Sequence, residues 1–313
     1  MRAFVLFTLL ALGCEGLAFA GAGTSGGETL LVLPGARPAS MGQAFTGVAG
    51  DADSLLYNPA GTVSISSAAV SLSYMKGLDG GGTGLASASF RLWRFVLTPA
   101  YLYYNSGGMT VHRTGEADRN VTAQTDKIVM AGLALDVFDW LAVGGLLKSA
   151  KFDLAETASA SGTFYDFGAL LRYQPYGLSA GAVLQNSGGS IKYEDVGDSA
   201  PRQTRMGVAW AGALTEPGGA GYMDYGVSAL VAGDYVNQIY DKSYYQAGVE
   251  FSLIDSGQDL PFFAVRSGYM FDRDVEAFTC GFGARQGSLT LDYAFGSGGD
   301  LENRHQFTLG YSF

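Results

Sequence analysis

The chain predicts an all-β fold, an antiparallel transmembrane β-barrel of about fourteen strands, and three observations predict it. The first is a long series of segments after residue 67 in which apolar residues alternate with small or polar ones, the period of an extended strand. The second is the length of those segments. At roughly ten residues or more they can cross a bilayer when tilted, and they exceed the five or six residues usual in globular strands. The third is composition, with 46 glycines in 313 residues and 15% charged against 48% hydrophobic. Glycine costs a helix about 1 kcal/mol relative to alanine, it lacks the collagen period here, and soluble domains carry roughly a quarter charged residues.

In chain order, the first element is an export signal. Arg2 precedes the apolar run Phe4 to Leu12, and Ala18-Phe19-Ala20 offers small residues where a signal peptidase reads, so residues 1–20 read as a signal peptide cleaved near Ala20. The run is shorter than the roughly 20 residues of a membrane helix. A lipoprotein box at Ala11-Leu12-Gly13-Cys14, leaving lipid on Cys14, is the competing reading. With Cys14 removed Cys280 stands alone, so no intramolecular disulfide framework is expected.

Residues 21–66 break the alternation and form a separate N-terminal segment. The barrel then occupies 67–313, with strands expected at 68–75, 84–92, 94–104, 122–138, 140–154, 162–174, 177–188, 202–214, 223–234, 244–255, 260–272, 276–286, 288–297 and 305–313. The last strand shows the pattern best, with Phe307, Leu309, Tyr311 and Phe313 opposite Gln306, Thr308, Gly310 and Ser312. Connections alternate between a longer, more polar set, such as 105–121 and 189–201, and tighter turns at Trp93, Asp139 and Gly287. Long loops at one end and short turns at the other describe an outer-membrane barrel.

A soluble β-sandwich is the rival fold. It would bury Asp166, Arg172, Glu250, Arg266 and Asp292, which lie at strand centres on the polar face, in a dry core. A lumen lets them pair or hydrate. Trp93, Trp140, Tyr101, Tyr103, Tyr104, Tyr244 and Tyr245 gather near strand ends, where headgroups favour amphipathic rings. The C-terminal Phe313 also resembles the signal by which the barrel assembly machinery recognises its clients, which makes that machinery and outer-membrane lipid expected partners.

The N-terminal segment carries a specific pattern. Gly35-Ala36-Arg37 is followed by Met41-Gly42-Gln43-Ala44-Phe45, then Asp51, then Asn58-Pro59-Ala60-Gly61. The order and spacing of these elements resemble the start of the PorV/PorQ-like proteins, within the wider FadL-like group of outer-membrane barrels. The resemblance covers residues 35–61 and implies that the segment folds into the lumen as a hatch. It places Arg37, Met41, Asp51, Asn58 and Pro59 there as hatch or ligand-gating residues, with Asp51 positioned to pair with Arg37.

No catalytic, metal or cofactor site is expected, and the chain does not read as an enzyme. His112 and His305 have no Cys or His partner at metal-ligand spacing. No Gly-x-Ser-x-Gly elbow is present. At Asp51-Ala52-Asp53 the calcium-loop glycine is replaced by Leu56 and the bidentate glutamate by Thr62. A net charge of -10 argues against nucleic acid. Three functions stay open. The resemblance implies transport of a hydrophobic small molecule, such as a long-chain fatty acid, or a type IX secretion shuttle carrying secreted protein cargo. The third is a general porin. A fatty-acid carboxylate would call on Arg113, Arg119 or Lys127, and a cargo surface on the aromatic stretch Tyr235 to Tyr245.

Overall fold

The computed structural model describes residues 25–77, 80–112, 118–193, 197–215, 225–239, 241–255, 261–273, 277–298 and 302–313. The expected signal peptide and Cys14 lie outside the described residues. Fourteen strands form one closed barrel. They are β1 (Ala68–Lys76), β2 (Gly82–Leu92), β3 (Phe95–Asn105), β4 (Gln124–Phe138), β5 (Leu141–Leu154), β6 (Ala158–Tyr173), β7 (Leu178–Gly188), β8 (Gln203–Thr215), β9 (Tyr225–Gln238), β10 (Tyr244–Asp255), β11 (Pro261–Phe271), β12 (Phe278–Gln286), β13 (Leu289–Gly296) and β14 (Arg304–Ser312). Each pairs antiparallel with its sequence neighbour. The seam closes between β1 and β14, with Ala69 opposite Ser312 and Met75 opposite Gln306. Closure pairs every edge, which is what lets backbone cross hydrocarbon.

The period-two pattern sorts the side chains. On β1, Val70, Leu72 and Tyr74 are exposed on the outside while Ser71, Ser73 and Met75 are buried within. Leu133, Phe167, Val208, Val231, Phe251, Val265, Phe282 and Leu309 continue the outer apolar belt around the barrel. Trp93, Phe138, Trp140, Tyr173, Tyr176 and Phe313 stand exposed at the end of the short turns. Tyr101, Tyr103 and Tyr245 lie exposed toward the other end, which gives two aromatic rims. Tyr244 is a correction: it is buried, with the Arg273 guanidinium 4.9 Å from its ring.

Several expected boundaries also move. Strand β6 begins at Ala158, because its ladder with β5 continues through Ala158 to Ser161 after the hydropathy contrast has faded. Its loop shrinks to a tight turn with Ala155 and Glu156 both left-handed, at φ 46 and 58. Strand β9 runs on to Gln238, and β4 starts at Gln124. Within the expected long connection 105–121, residues 108–111 pair with 119–122 in a small hairpin at the long-loop end, so that Thr122, expected as the first wall-strand residue, belongs to the hairpin. A second such hairpin joins 190–192 to 197–199. The expected tight turns after β8 and β10 fall outside the described residues.

The outer belt makes a direct prediction. Leu133→Arg, near the middle of β4, should cost about 2–4 kcal/mol of stability in lipid vesicles, well beyond Leu133→Ser, as read from urea midpoints. Equal midpoints for the two variants would contradict a lipid-facing Leu133.

Candidate functional site

The N-terminal segment occupies the lumen along its length. At the long-loop end Ser25 bridges Ser199, and the Gly26 amide donates to the Ser199 carbonyl at 3.1 Å. Four short helical turns follow, at Glu28–Leu31, Ala36–Ser40, Ala52–Leu56 and Pro59–Ser64. Two are started by residues of the sequence pattern. Asp51 accepts from the Asp53 amide at 3.0 Å. Asn58, held extended by the following proline, accepts from the Ala60 amide at 3.1 Å with Pro59 at the first helical position. The chain leaves at the short-turn end, where Arg91 donates to the carbonyls of Val63 and Ile65 before β1 begins.

A chain inside a barrel needs partners for its backbone, since the wall's backbone groups are already paired with each other. Inward side chains supply them. Asp234 accepts from the amides of Phe45 and Thr46 at 3.0 and 2.9 Å. Gln306, Thr308 and Thr279 accept from the amides of Gly35, Ala36 and Gly42. In the other direction Gln185 donates to the Leu56 carbonyl, Ser179 to Gly47 and Arg205 to Gln43. Asn58 also donates to the carbonyls of Thr46 and Ala169, at 2.9 and 3.0 Å.

Close approach is made possible by a belt of inward glycines. Gly144 and Gly168, Gly181 and Gly207, and Gly248 and Gly268 are directly opposed across adjacent strands. A β-carbon on Gly248 or Gly268 would run into the Met41–Gly42 backbone, on Gly181 into the Thr46 carbonyl, and on Gly168 into Asn58. One on Gly144 would lie 2.5 Å from the Ala60 nitrogen. Met41 itself is fully buried.

Charges on this face are paired in chains. The Arg37 guanidinium makes a bidentate contact with Glu250, at 2.9 Å on each oxygen, and a third bond to Asp51 at 2.8 Å. Glu250 in turn meets Arg266 at 2.5 Å, and Arg266 meets Asp292 at 2.6 Å. A separate buried group joins Arg205 to Asp234 at 3.1 Å, Gln246 at 2.7 Å and Thr46 at 3.0 Å. Arg37, Asp51, Glu250, Arg266 and Asp292 line a cavity of about 300 Å³ beside Ser71 and Ser312, at the short-turn end. Asp53 also borders it. Burial first, and the nearby carboxylates of Asp51 and Asp292 second, push the Asp53 carboxyl well above its ordinary range.

The lining of the lumen is uneven, with an apolar stretch on one side of the wall. Toward the long-loop end the wall contributes Leu85, Leu102, Ile128, Met130, Leu146, Phe152 and Phe164 to one buried apolar cluster, and the segment adds Leu30, Leu33, Leu55 and Leu56. Within this half Lys148 pairs with Asp166 at 2.7 Å and donates to Asn186 at 2.7 Å.

Arg37, Asp51, Asn58 and Pro59 are thus parts of one packed segment, but not of one cluster: Arg37 and Asp51 face the cavity, while Asn58 and Pro59 lie against β5 to β7. Arg119 is exposed in the outer hairpin and Lys127 points outward, so neither joins the lumen, and Arg113 lies outside the described residues. The sequence reading placed Glu250, Arg266 and Asp292 in the lumen without linking them to Arg37, and it missed Arg205 and Asp234. Among the described residues no cluster of three or more His, Cys, Asp or Glu could hold a metal ion.

The closed fourteen-stranded antiparallel barrel has the fold of the FadL-like outer-membrane barrels. The toluene transporter TodX of Pseudomonas putida superposes with a TM-score of 0.59 at 10% identity, covering 89% of this chain and 98% of that one. A FadL homologue of Pseudomonas aeruginosa does so with a TM-score of 0.50 at 10% identity, covering 90% and 98%. No protein-family model and no curated protein sequence matches the chain.

Two outcomes follow from this geometry. Gly268→Val should force the Met41–Gly42 backbone off the wall and expose residues 25–66 to proteolysis, while the outward Val265→Ala should not; equal digestion would contradict the close contact. For Asp53, the raised folded-state pKa means its contribution to stability is intact below about pH 4 and is lost as pH rises through the folded value. Asp53→Asn should therefore gain on the natural protein in urea midpoint between pH 4 and pH 8, and a constant difference would refute the assignment.

Proposed function

We propose that this protein passes small hydrophobic molecules across the outer membrane, with residues 25–66 acting as the hatch. The observation that carries the reading is the apolar lining that β2 to β6 give the lumen toward the long-loop end. A water-filled pore is polar inside, and an apolar wall gains nothing from facing water. The long-loop end is then the cell surface and the short-turn end the periplasm, as in other outer-membrane barrels. The likeness to TodX and to the FadL homologue supports the same reading through the fold. A long-chain fatty acid is one member of this substrate class.

The pattern at residues 35–61 is what supports a place in the PorV/PorQ-like branch. Its associated role, escort of secreted protein, would need a cargo surface. Tyr235 and Tyr245, with rings 5.1 Å apart, sit on the outer wall near the rim, in the aromatic zone facing lipid. Transport is the reading the lumen favours.

Uptake decides it. In cells lacking the protein and in cells carrying it, initial rates would be measured for labelled oleate, toluene and a small sugar. The expected result is severalfold faster entry of a hydrophobic compound with sugar entry unchanged. Faster sugar entry would indicate a general porin, and no difference for any compound would sink the transport reading.

A further inference from the structure

We infer that the first binding position for the transported molecule is the place now filled by Leu30, and that it takes a small uncharged hydrocarbon in preference to a fatty-acid anion. This rests on the transport reading and names the substrate class within it.

The segment is not held evenly. Between Gly35 and Gly61 its backbone is wedged against the glycine belt at Met41–Gly42, Thr46 and Ala60, and wall side chains bond it from Gly35 to Gly47 and again at Leu56. Residues 28–33 have no such seat. Their polar ties are few and reach mainly side chains: the Thr29 hydroxyl donates to Asp126 and accepts from the Gln124 amide at 3.3 Å, Glu28 accepts from Ser25, the Asn186 amide donates to the Leu30 carbonyl at 3.4 Å, and the Tyr57 hydroxyl donates to the Leu33 carbonyl at 3.3 Å. What keeps them in place is the burial of Leu30 and Leu33 in the apolar cluster of the outer half. An apolar molecule arriving from the long-loop end offers that cluster the same kind of contact, so it can exchange with Leu30 at small cost while the wedged part stays put.

The charges around this position oppose an anion. Lys148, the ammonium embedded in this half, is committed to Asp166 and Asn186. Arg205, deeper in, is committed to Asp234 and Gln246, and Arg304, across the lumen on β14, is also engaged. Two carboxylates, Asp126 and Asp166, are fully buried in the same region. A carboxylate ligand would thus be desolvated with no free cation to meet it and with like charge nearby. A neutral ring beside Phe152 and Phe164 meets no such penalty, and a cavity left by a missing leucine side chain is the kind that stays dry and accepts benzene.

The test uses the mature protein in lipid nanodiscs, with fluorobenzene as the probe, followed by fluorine NMR, and dodecanoate at pH 8 as competitor. The signal is the saturable component above that of empty discs. Leu30→Ala should tighten fluorobenzene binding by about tenfold and Leu30→Trp should abolish it, while dodecanoate should fail to displace the probe. Binding unchanged by Leu30→Ala, no saturable binding in either protein, or displacement by the dodecanoate anion would each overturn the inference. If Leu30→Trp does not fold, the Leu30→Ala comparison decides alone. Toluene uptake in cells separates the two failures: uptake without binding at Leu30 overturns only this inference, whereas loss of uptake overturns the transport reading beneath it.

Discussion

Everything inside this barrel depends on one constraint: a chain enclosed by a sheet whose backbone groups are already paired must find hydrogen-bond partners among side chains. That constraint accounts for inward residues that would otherwise look misplaced in a membrane protein. Asp234 is there because two consecutive amides of the enclosed segment point at it. Gln185, Gln306, Thr279 and Thr308 answer single backbone groups in the same way. Removing one such partner leaves a buried donor or acceptor unsatisfied, at about 1–3 kcal/mol each. The polar lumen is therefore a fitted socket for a particular stretch of chain.

The two halves of that socket solve different problems. At the short-turn end the alternating series Asp51, Arg37, Glu250, Arg266 and Asp292 sets each arginine between two carboxylates beside an open cavity. At the long-loop end apolar side chains of wall and segment fill the space together. Polar fixing is directional and specifies one arrangement, whereas apolar filling is non-directional and tolerates exchange of one occupant for another.

The wall was legible in the sequence because its signal is local. Lipid on one side imposes period two on every strand, and Leu289, Leu291 and Leu309 announce it without knowledge of any partner. Boundaries slipped where the lipid contrast ends before the ladder does, as in the Ala158 to Ser161 stretch of β6, and the hairpin of 108–111 with 119–122 went unread inside a polar connection. Asn58 and Asp51 were singled out only through the family resemblance, although the capping bonds they make reach amides just two positions away. The Arg37–Asp51 pair was expected, but the wall partners of Arg37 and Thr46 were not, because Glu250 and Asp234 lie about two hundred residues downstream and nothing nearby distinguishes them from other lumen-facing acids. The glycine belt falls between the two cases. Gly248 and Gly268 stand on inward positions of neighbouring strands, so register, once deduced from the hydropathy pattern, would have paired them.

The path of the enclosed segment also bears on how the molecule is made. Its residues run from Ser199 at one mouth to Arg91 at the other and continue without a break into β1, the strand that completes the cylinder against β14. With no room for a methyl group at its narrowest contacts, the segment fits the lumen at one depth and one rotation only. Seating the segment and closing the seam therefore act on consecutive stretches of one chain, and the order inside the cylinder is tied to the order of its wall.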